Sequence, residues 1–138
     1  MAALTLTGAE LALLAGGTLL AGDPSARVQG CSLDSRTVPS GGLFVALRGE
    51  RADGHDYCAQ AADRGASAVL VEREVEVPAG VAVVLVPSVE TAFRKLGTVA
   101  RDRFQGTVVG VVGSCGKTTT KEFAAEVLRR AGSVHASV

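Results

Sequence analysis

Apolar residues in this chain come in short runs of two spacings, and the spacing changes from segment to segment. Thr7-Gly8-Ala9-Glu10 has the form of a capping box, so a helix should begin there, bury Leu11 and Leu14, and stop at Gly16-Gly17. A short strand over Thr18 to Leu20 and a Gly22-Asp23-Pro24 turn follow, then a strand over Val28 to Leu33 that Gly30 weakens. After the Pro39 to Gly42 turn, the run Leu43 to Leu47 is continuous enough for a strand buried on both faces. A helix over Asp56 to Arg64 should pack through Ala59, Ala61 and Ala62, with Asp53 as its cap. Strands are expected at Ser67 to Val71 and Val81 to Val86, joined by a polar connection containing Pro78.

From Ser88 to about Phe104 the period returns to helical, with Ala92, Leu96, Val99 and Ala100 inward and Arg94, Lys95, Arg101 and Arg103 solvated. Thr107 to Val112 reads as a buried strand, and Lys117 to about Ala131 as a helix burying Phe123, Val127 and Leu128. A last strand would start at Val134 and run to Val138. Helices alternating with short strands define a mixed α/β fold. A boundary near Pro87 divides it into residues 1–87, a small mixed α/β domain, and 88–138, the start of a second.

Composition narrows the classes. With 47% apolar and 20% charged residues the chain is globular, and fourteen basic residues balance fourteen acidic ones. Without a basic excess, nucleic-acid binding is disfavoured. No apolar run approaches the ~18 to 20 residues a membrane-crossing helix needs, and no positive flank marks a secretory signal. Cys31, Cys58 and Cys115 lack metal-type spacing, which fits free thiols in a cytoplasmic protein.

The chemistry concentrates in Val108 to Lys121, V-V-G-V-V-G-S-C-G-K-T-T-T-K. Gly113 and Gly116 would let backbone N–H groups approach phosphate oxygens, Lys117 would reach the β- and γ-phosphates, and the Thr118 hydroxyl would ligate Mg²⁺. A strict Walker pattern needs Gly at position 111, where this chain has Val111. The bland alternative is a strand-to-helix turn, but a turn has no use for a lysine followed by three threonines. A nucleoside triphosphate is therefore the expected ligand of this stretch.

Two other polar clusters are less decisive. Leu33-Asp34-Ser35-Arg36 is, on spacing alone, most simply a turn in which Asp34 and Ser35 bond their own backbone. In Gly49 to His55, G-E-R-A-D-G-H, His55 is more easily a helix-start residue than a ligand.

Taken together these stretches resemble the Mur ligases, ATP-dependent amide-bond formers of peptidoglycan precursor synthesis. The loop G-S-C-G-K-T-T matches their G-[ST]-x-G-K-[ST]-[ST], and D-S-R-T-V-x-x-G-x-L-F-V-A-L-R-G-E-R-A-D-G-H-D-Y, from Asp34 to Tyr57, is similar to their N-terminal domain. The resemblance implies that Leu33, Ser35, Arg36, Glu50, Arg51 and Ala52 line the uridine-diphosphate end of a substrate. It implies ATP and Mg²⁺ as cofactors, with ATP held by Gly113, Ser114, Cys115, Gly116, Lys117, Thr118 and Thr119, Lys117 catalytic and Mg²⁺ on Thr118, and a P-loop ATPase-like central domain of which the chain holds the first strand, the loop and a helix. G-E-R-A-D-G-H-D and G-S-C-G-K-T-T-T-K-E most resemble the member that joins D-alanyl-D-alanine to UDP-N-acetylmuramoyl-tripeptide. The alternatives are the sister that adds the third amino acid, usually G-T-N-G-K-T in the loop, and a non-catalytic UDP-sugar-peptide binding module. A cytoplasmic monomer is expected. Family members run to several hundred residues, so the chain is expected to be an N-terminal portion, inactive by itself, whose first ~87 residues fold alone.

Overall fold

The computed structural model describes residues 5–137. Seven strands and four α-helices follow one another as β1 (Thr5–Thr7), α1 (Gly8–Ala15), β2 (Thr18–Ala21), β3 (Arg27–Gln29), β4 (Cys31–Ser32), β5 (Leu43–Val45), α2 (Cys58–Asp63), β6 (Ala68–Val71), β7 (Ala82–Leu85), α3 (Val89–Arg103) and α4 (Lys117–Arg129). A 3₁₀ turn over Gly54–Tyr57 leads into α2. The chain divides into two compact units, one ending at Phe104 and one running on from Gln105.

In the first unit a five-stranded sheet has the order β2-β7-β6-β5-β4, parallel except for β2 against β7. A two-stranded antiparallel ribbon, β1 with β3, stands beside it. Alternation along the central strands decides what covers each face. Leu43, Val45, Ala68, Leu70, Ala82 and Val84 share a cluster with Leu11 and Ala15 of α1 and with Val89, Ala92 and Leu96 of α3. Phe44, Val69, Val71 and Val83 turn the other way, onto Cys58 and Ala61 of α2. Helices therefore cover both faces, as a parallel sheet requires.

Most expected elements form, several with informative differences. The capping box is present: Thr7 Oγ1 accepts from Glu10 N–H at 3.2 Å, Glu10 Oε2 accepts from Thr7 N–H at 2.8 Å, and Gly16 ends α1 in the left-handed conformation. The single strand expected over Val28 to Leu33 is two strands in different sheets. Gly30, at φ 76°, turns the chain between them. In α2 it is Cys58 and Ala61 that are buried, whereas Ala59 is exposed.

Helix α3 was expected to open the second domain, but its residues Val89, Ala92 and Leu96 lie in the core of the first unit, beside α1. The compact division thus falls after Phe104, not at Pro87. The apolar stripe of α3 completes the cover over one face of the sheet, and this packing fixes where the helix belongs.

In the second unit, residues 107–112 form no strand, and Val108, Val109 and Val112 are 57%, 63% and 93% exposed. A β-branched run becomes a strand only against a paired neighbour, and the described residues of this unit supply none. Helix α4 forms, but Phe123, Val127 and Leu128, expected to point inward, are exposed and only Ala125 is buried. Residues 134–137 carry no strand, and Val138 lies outside the described residues.

Candidate functional site

The candidate phosphate loop, residues 113–119, lies wholly in the second unit. Gly116 stands at φ 75°, ψ 4°, immediately before α4. A Cβ there would meet nothing within 4 Å, so the backbone conformation, and not space, calls for glycine. The first bond of the helix runs from Thr120 N–H to Gly116 C=O at 2.9 Å. The amides of Lys117, Thr118 and Thr119 then have no partner within the helix and carry the positive end of its dipole. Lys117 Nζ donates to the Gly113 carbonyl, folding the ammonium back across the loop. Every residue from Gly113 to Thr119 is exposed, and a shallow groove of ≈ 240 Å³ runs beside Lys117 and Thr118, with Val109, Val111, Lys121 and Ser137 on its walls.

Among the described residues no group of three or more His, Cys, Asp or Glu could hold a metal ion by itself. A hydroxyl at the first turn of a helix suits Mg²⁺, which takes few protein ligands and fills its shell with phosphate oxygens and waters. Thr118 fits that part, and the described residues offer no all-protein metal cage.

The second candidate site sits on the first unit. Residues 33–36 follow the C-terminal end of β4, and 46–52 follow that of β5. Parallel pairing of β4 with β5 brings both segments to the same edge of the sheet, the edge at which open α/β sheets bind ligands. Within the first segment Asp34 accepts from three donors of Arg36, the backbone N–H at 2.9 Å, Nε at 2.9 Å to one carboxylate oxygen and 3.3 Å to the other, and Nη2 at 2.8 Å. The Arg36 guanidinium first, and its backbone N–H second, hold the Asp34 carboxyl down at about 2. Arg36 keeps three-quarters of its side chain in solvent. Ser35 is buried and donates from Oγ to Gln60 Oε1 of α2 at 2.6 Å. The turn reading holds for Asp34, while Ser35 bonds across to a helix and not to its own backbone. Leu33 is half exposed.

In the second segment Gly49 N–H donates to Ala52 C=O and Gly54 N–H to Leu47 C=O, both at 2.9 Å, so Glu50, Arg51 and Ala52 ride on a closed turn with their side chains in solvent. Gly54 is dictated by space: a Cβ would come within 2.6 Å of the Leu47 carbonyl oxygen. Asp53 caps the 3₁₀ turn, accepting from His55 N–H at 3.0 Å and from His55 Nδ1 at 2.6 Å. Those two bonds, backbone first, depress the Asp53 carboxyl to about 2. His55 is a helix-start residue, as its bland reading had it, but a buried one with both ring nitrogens engaged.

The architecture and the motifs now meet the comparisons with known proteins. The Mur ligase family, catalytic domain, matches residues 27–102, more than half of the chain. The chain belongs to the Mur ligase family. A UDP-N-acetylmuramoyl-tripeptide–D-alanyl-D-alanine ligase of Synechocystis sp. is 44% identical over 110 residues, 79% of this chain and 24% of that protein. A UDP-N-acetylmuramoyl-L-alanyl-D-glutamate–2,6-diaminopimelate ligase of Bacillus licheniformis is 38% identical over 119 residues, 82% of this chain and 23% of its own length. Among solved structures, MurF from Acinetobacter baumannii aligns with a TM-score of 0.76 at 32% identity, covering 94% of this chain and 29% of that one. MurF ligase from Thermotoga maritima in complex with ADP aligns with a TM-score of 0.58 at 40% identity, covering 73% and 23%. The chain spans about a quarter of the length of the curated relatives it matches.

The structure thus brings the six residues from Leu33 to Ala52 to one sheet edge, and keeps the seven loop residues in a separate unit. Sequence reasoning missed Gln60, Glu72 and Arg73. Gln60 meets Ser35 from a helix far along the chain, and no local spacing signals such a partner. The D-G-H triplet could have signalled the others. An aspartate two residues before a histidine can hold its Nδ1, which leaves Nε2 to find a partner elsewhere.

Proposed function

We propose that this chain is the nucleotide-sugar-binding and phosphate-loop part of an ATP-dependent ligase that joins D-alanyl-D-alanine to UDP-N-acetylmuramoyl-tripeptide in the cytoplasm, as a monomer. The observation that carries the reading is the left-handed Gly116 opening α4 with Lys117 and Thr118 in its first turn. Such an opening is a built anion site, with amides, dipole and ammonium together. Relatives and solved neighbours named for this reaction, one of them in complex with ADP, support the choice. The diaminopimelate-adding sister remains the second reading, because relatives at 38% to 42% identity carry that name.

In this reading Leu33, Ser35, Arg36, Glu50, Arg51 and Ala52 hold the uridine-diphosphate end, and Gly113 to Thr119 hold the triphosphate. A carboxylate oxygen of the tripeptide attacks the γ-phosphorus and ADP departs, giving an acyl phosphate. The D-alanyl-D-alanine amine then attacks the acyl carbon and phosphate leaves. Lys117 turns from the Gly113 carbonyl to the phosphates and neutralises charge that builds on the transferring oxygens. Mg²⁺ held through Thr118 would supply further charge neutralisation there.

Calorimetric titration of the chain with UDP-N-acetylmuramoyl-tripeptide and, separately, with MgATP tests this. Lys117→Ala should weaken MgATP by about tenfold or more, as expected for losing a charged hydrogen-bonding partner, and leave the nucleotide sugar unaffected. Equal loss of both ligands would show that the loop has another role.

A further inference from the structure

His55 is a buried polar side chain that the catalytic reading leaves unused. His55 has a side chain with no solvent exposure, and both of its ring nitrogens are bonded. Nε2 accepts the backbone N–H of Glu72, just past the end of β6, at 2.8 Å. A nitrogen that accepts must be unprotonated, so the ring proton sits on Nδ1, directed at Asp53 Oδ1 2.6 Å away. Asp53 stands at the base of the turn that displays Glu50 to Ala52, bridged antiparallel to Arg48, and its other oxygen lies 3.7 Å from Arg48 Nε and 3.6 Å from Arg73 Nη2. Glu72 in turn accepts the Val89 N–H at the start of α3, at 2.8 Å.

We infer that His55 is a positioning residue, which fixes the Gly49–Ala52 turn to the end of β6 and the start of α3 and so presents that turn in its ligand-binding geometry. The inference deepens the proposed nucleotide-sugar site and rests on it for the identity of the ligand. A surface turn of four residues has little packing to hold it, and its ordering must come from its anchors. One buried imidazole supplies two of them because its nitrogens point in opposite directions. Leucine at this position would fill the space but leave Asp53 and the Glu72 amide without the ring.

Amide hydrogen exchange and UDP titration on the chain and on His55→Leu and His55→Gln test this, with UDP as the probe. The expected result is faster exchange at Gly49, Gly54 and Val89 in His55→Leu, unchanged exchange at Leu70 and Val84, and UDP affinity lowered by about tenfold. His55→Gln, which can still accept from Glu72, should recover part of the protection at Val89. Exchange that quickens equally at Leu70 and Val84 would make His55 a core residue only and overturn the inference. Unchanged exchange at Gly49 and Gly54 would overturn it too. If the wild-type chain does not bind UDP, the nucleotide-sugar reading fails and with it the turn's ligand, while exchange still decides whether His55 orders the turn. Should neither variant fold, the ¹⁵N shifts of the wild-type ring decide: a proton on Nε2 would exclude the Glu72 anchor.

Discussion

Both units of this chain carry β-branched apolar runs, at 68–71 and 82–85 in the first and at 107–112 in the second, and these runs end very differently. In the first, Val69, Leu70 and Val71 are completely buried between helices. In the second, Val109 and Val112 stand in solvent, as do Phe123 and Val127 one helix later. What separates them is pairing. The backbone groups of β6 are met by β5 on one side and β7 on the other, and α1, α2 and α3 then have two faces to cover. The run at 107–112 has no strand beside it among the described residues, so its backbone stays open and the helix after it has no sheet to cover. Local preference proposes a strand, and hydrogen-bond partners decide whether one exists.

Paired truncations would break this comparison most directly. Leu70→Ala should lower the unfolding free energy of the first unit by about 2–5 kcal/mol, whereas Val127→Ala should stay within roughly 0.5 kcal/mol, as for a surface position. Denaturant melts of both variants check it, and similar losses would mean that α4 is as well packed as the sheet. A smaller effect sharpens the same contrast at the helix starts. Thr7→Ala removes the reciprocal cap of α1 and should cost about 1 kcal/mol. Helix α4 begins at Gly116 with no side-chain cap, so there is no equivalent group to remove.

The smallest effect is set by pH. Asp34 and Asp53 both titrate at about 2 in the folded chain, below the ordinary aspartate value of 3.8. A depressed folded value means that the stabilisation is present above about 4 and is lost as pH falls toward and through 2. Acid melts should therefore show the first unit weakening over that window, and Asp53→Asn should flatten the decline. An unaltered acid limb would show that the His55 contacts on Asp53 do not persist in solution.

How much of this was legible beforehand differs by feature. The capping box at Thr7, the stop at Gly16 and the buried strands at 43–45, 68–71 and 82–85 were readable because each depends on neighbours within a few residues. The glycine turn at Gly116 and the helix that opens after it were legible for the same reason, since both depend on adjacent backbone. Arg36 could be placed at a turn but not aimed, because its aim comes from the Asp34 carboxylate in a geometry that the turn had first to adopt. The role of His55 needed the end of β6, and the bond of Ser35 needed a residue on α2.

The sequence by itself determined the period of each segment, the caps and the glycine turn ahead of α4, since these are interactions between residues close along the chain. Only the tertiary structure decided that Gly30 sends two halves of one apolar run into different sheets, that α3 belongs to the first unit, and that His55 joins a surface turn to the core. Each of those depends on which groups become neighbours once the sheet has formed, and a buried hydrogen bond or apolar contact has no energy until its partner arrives.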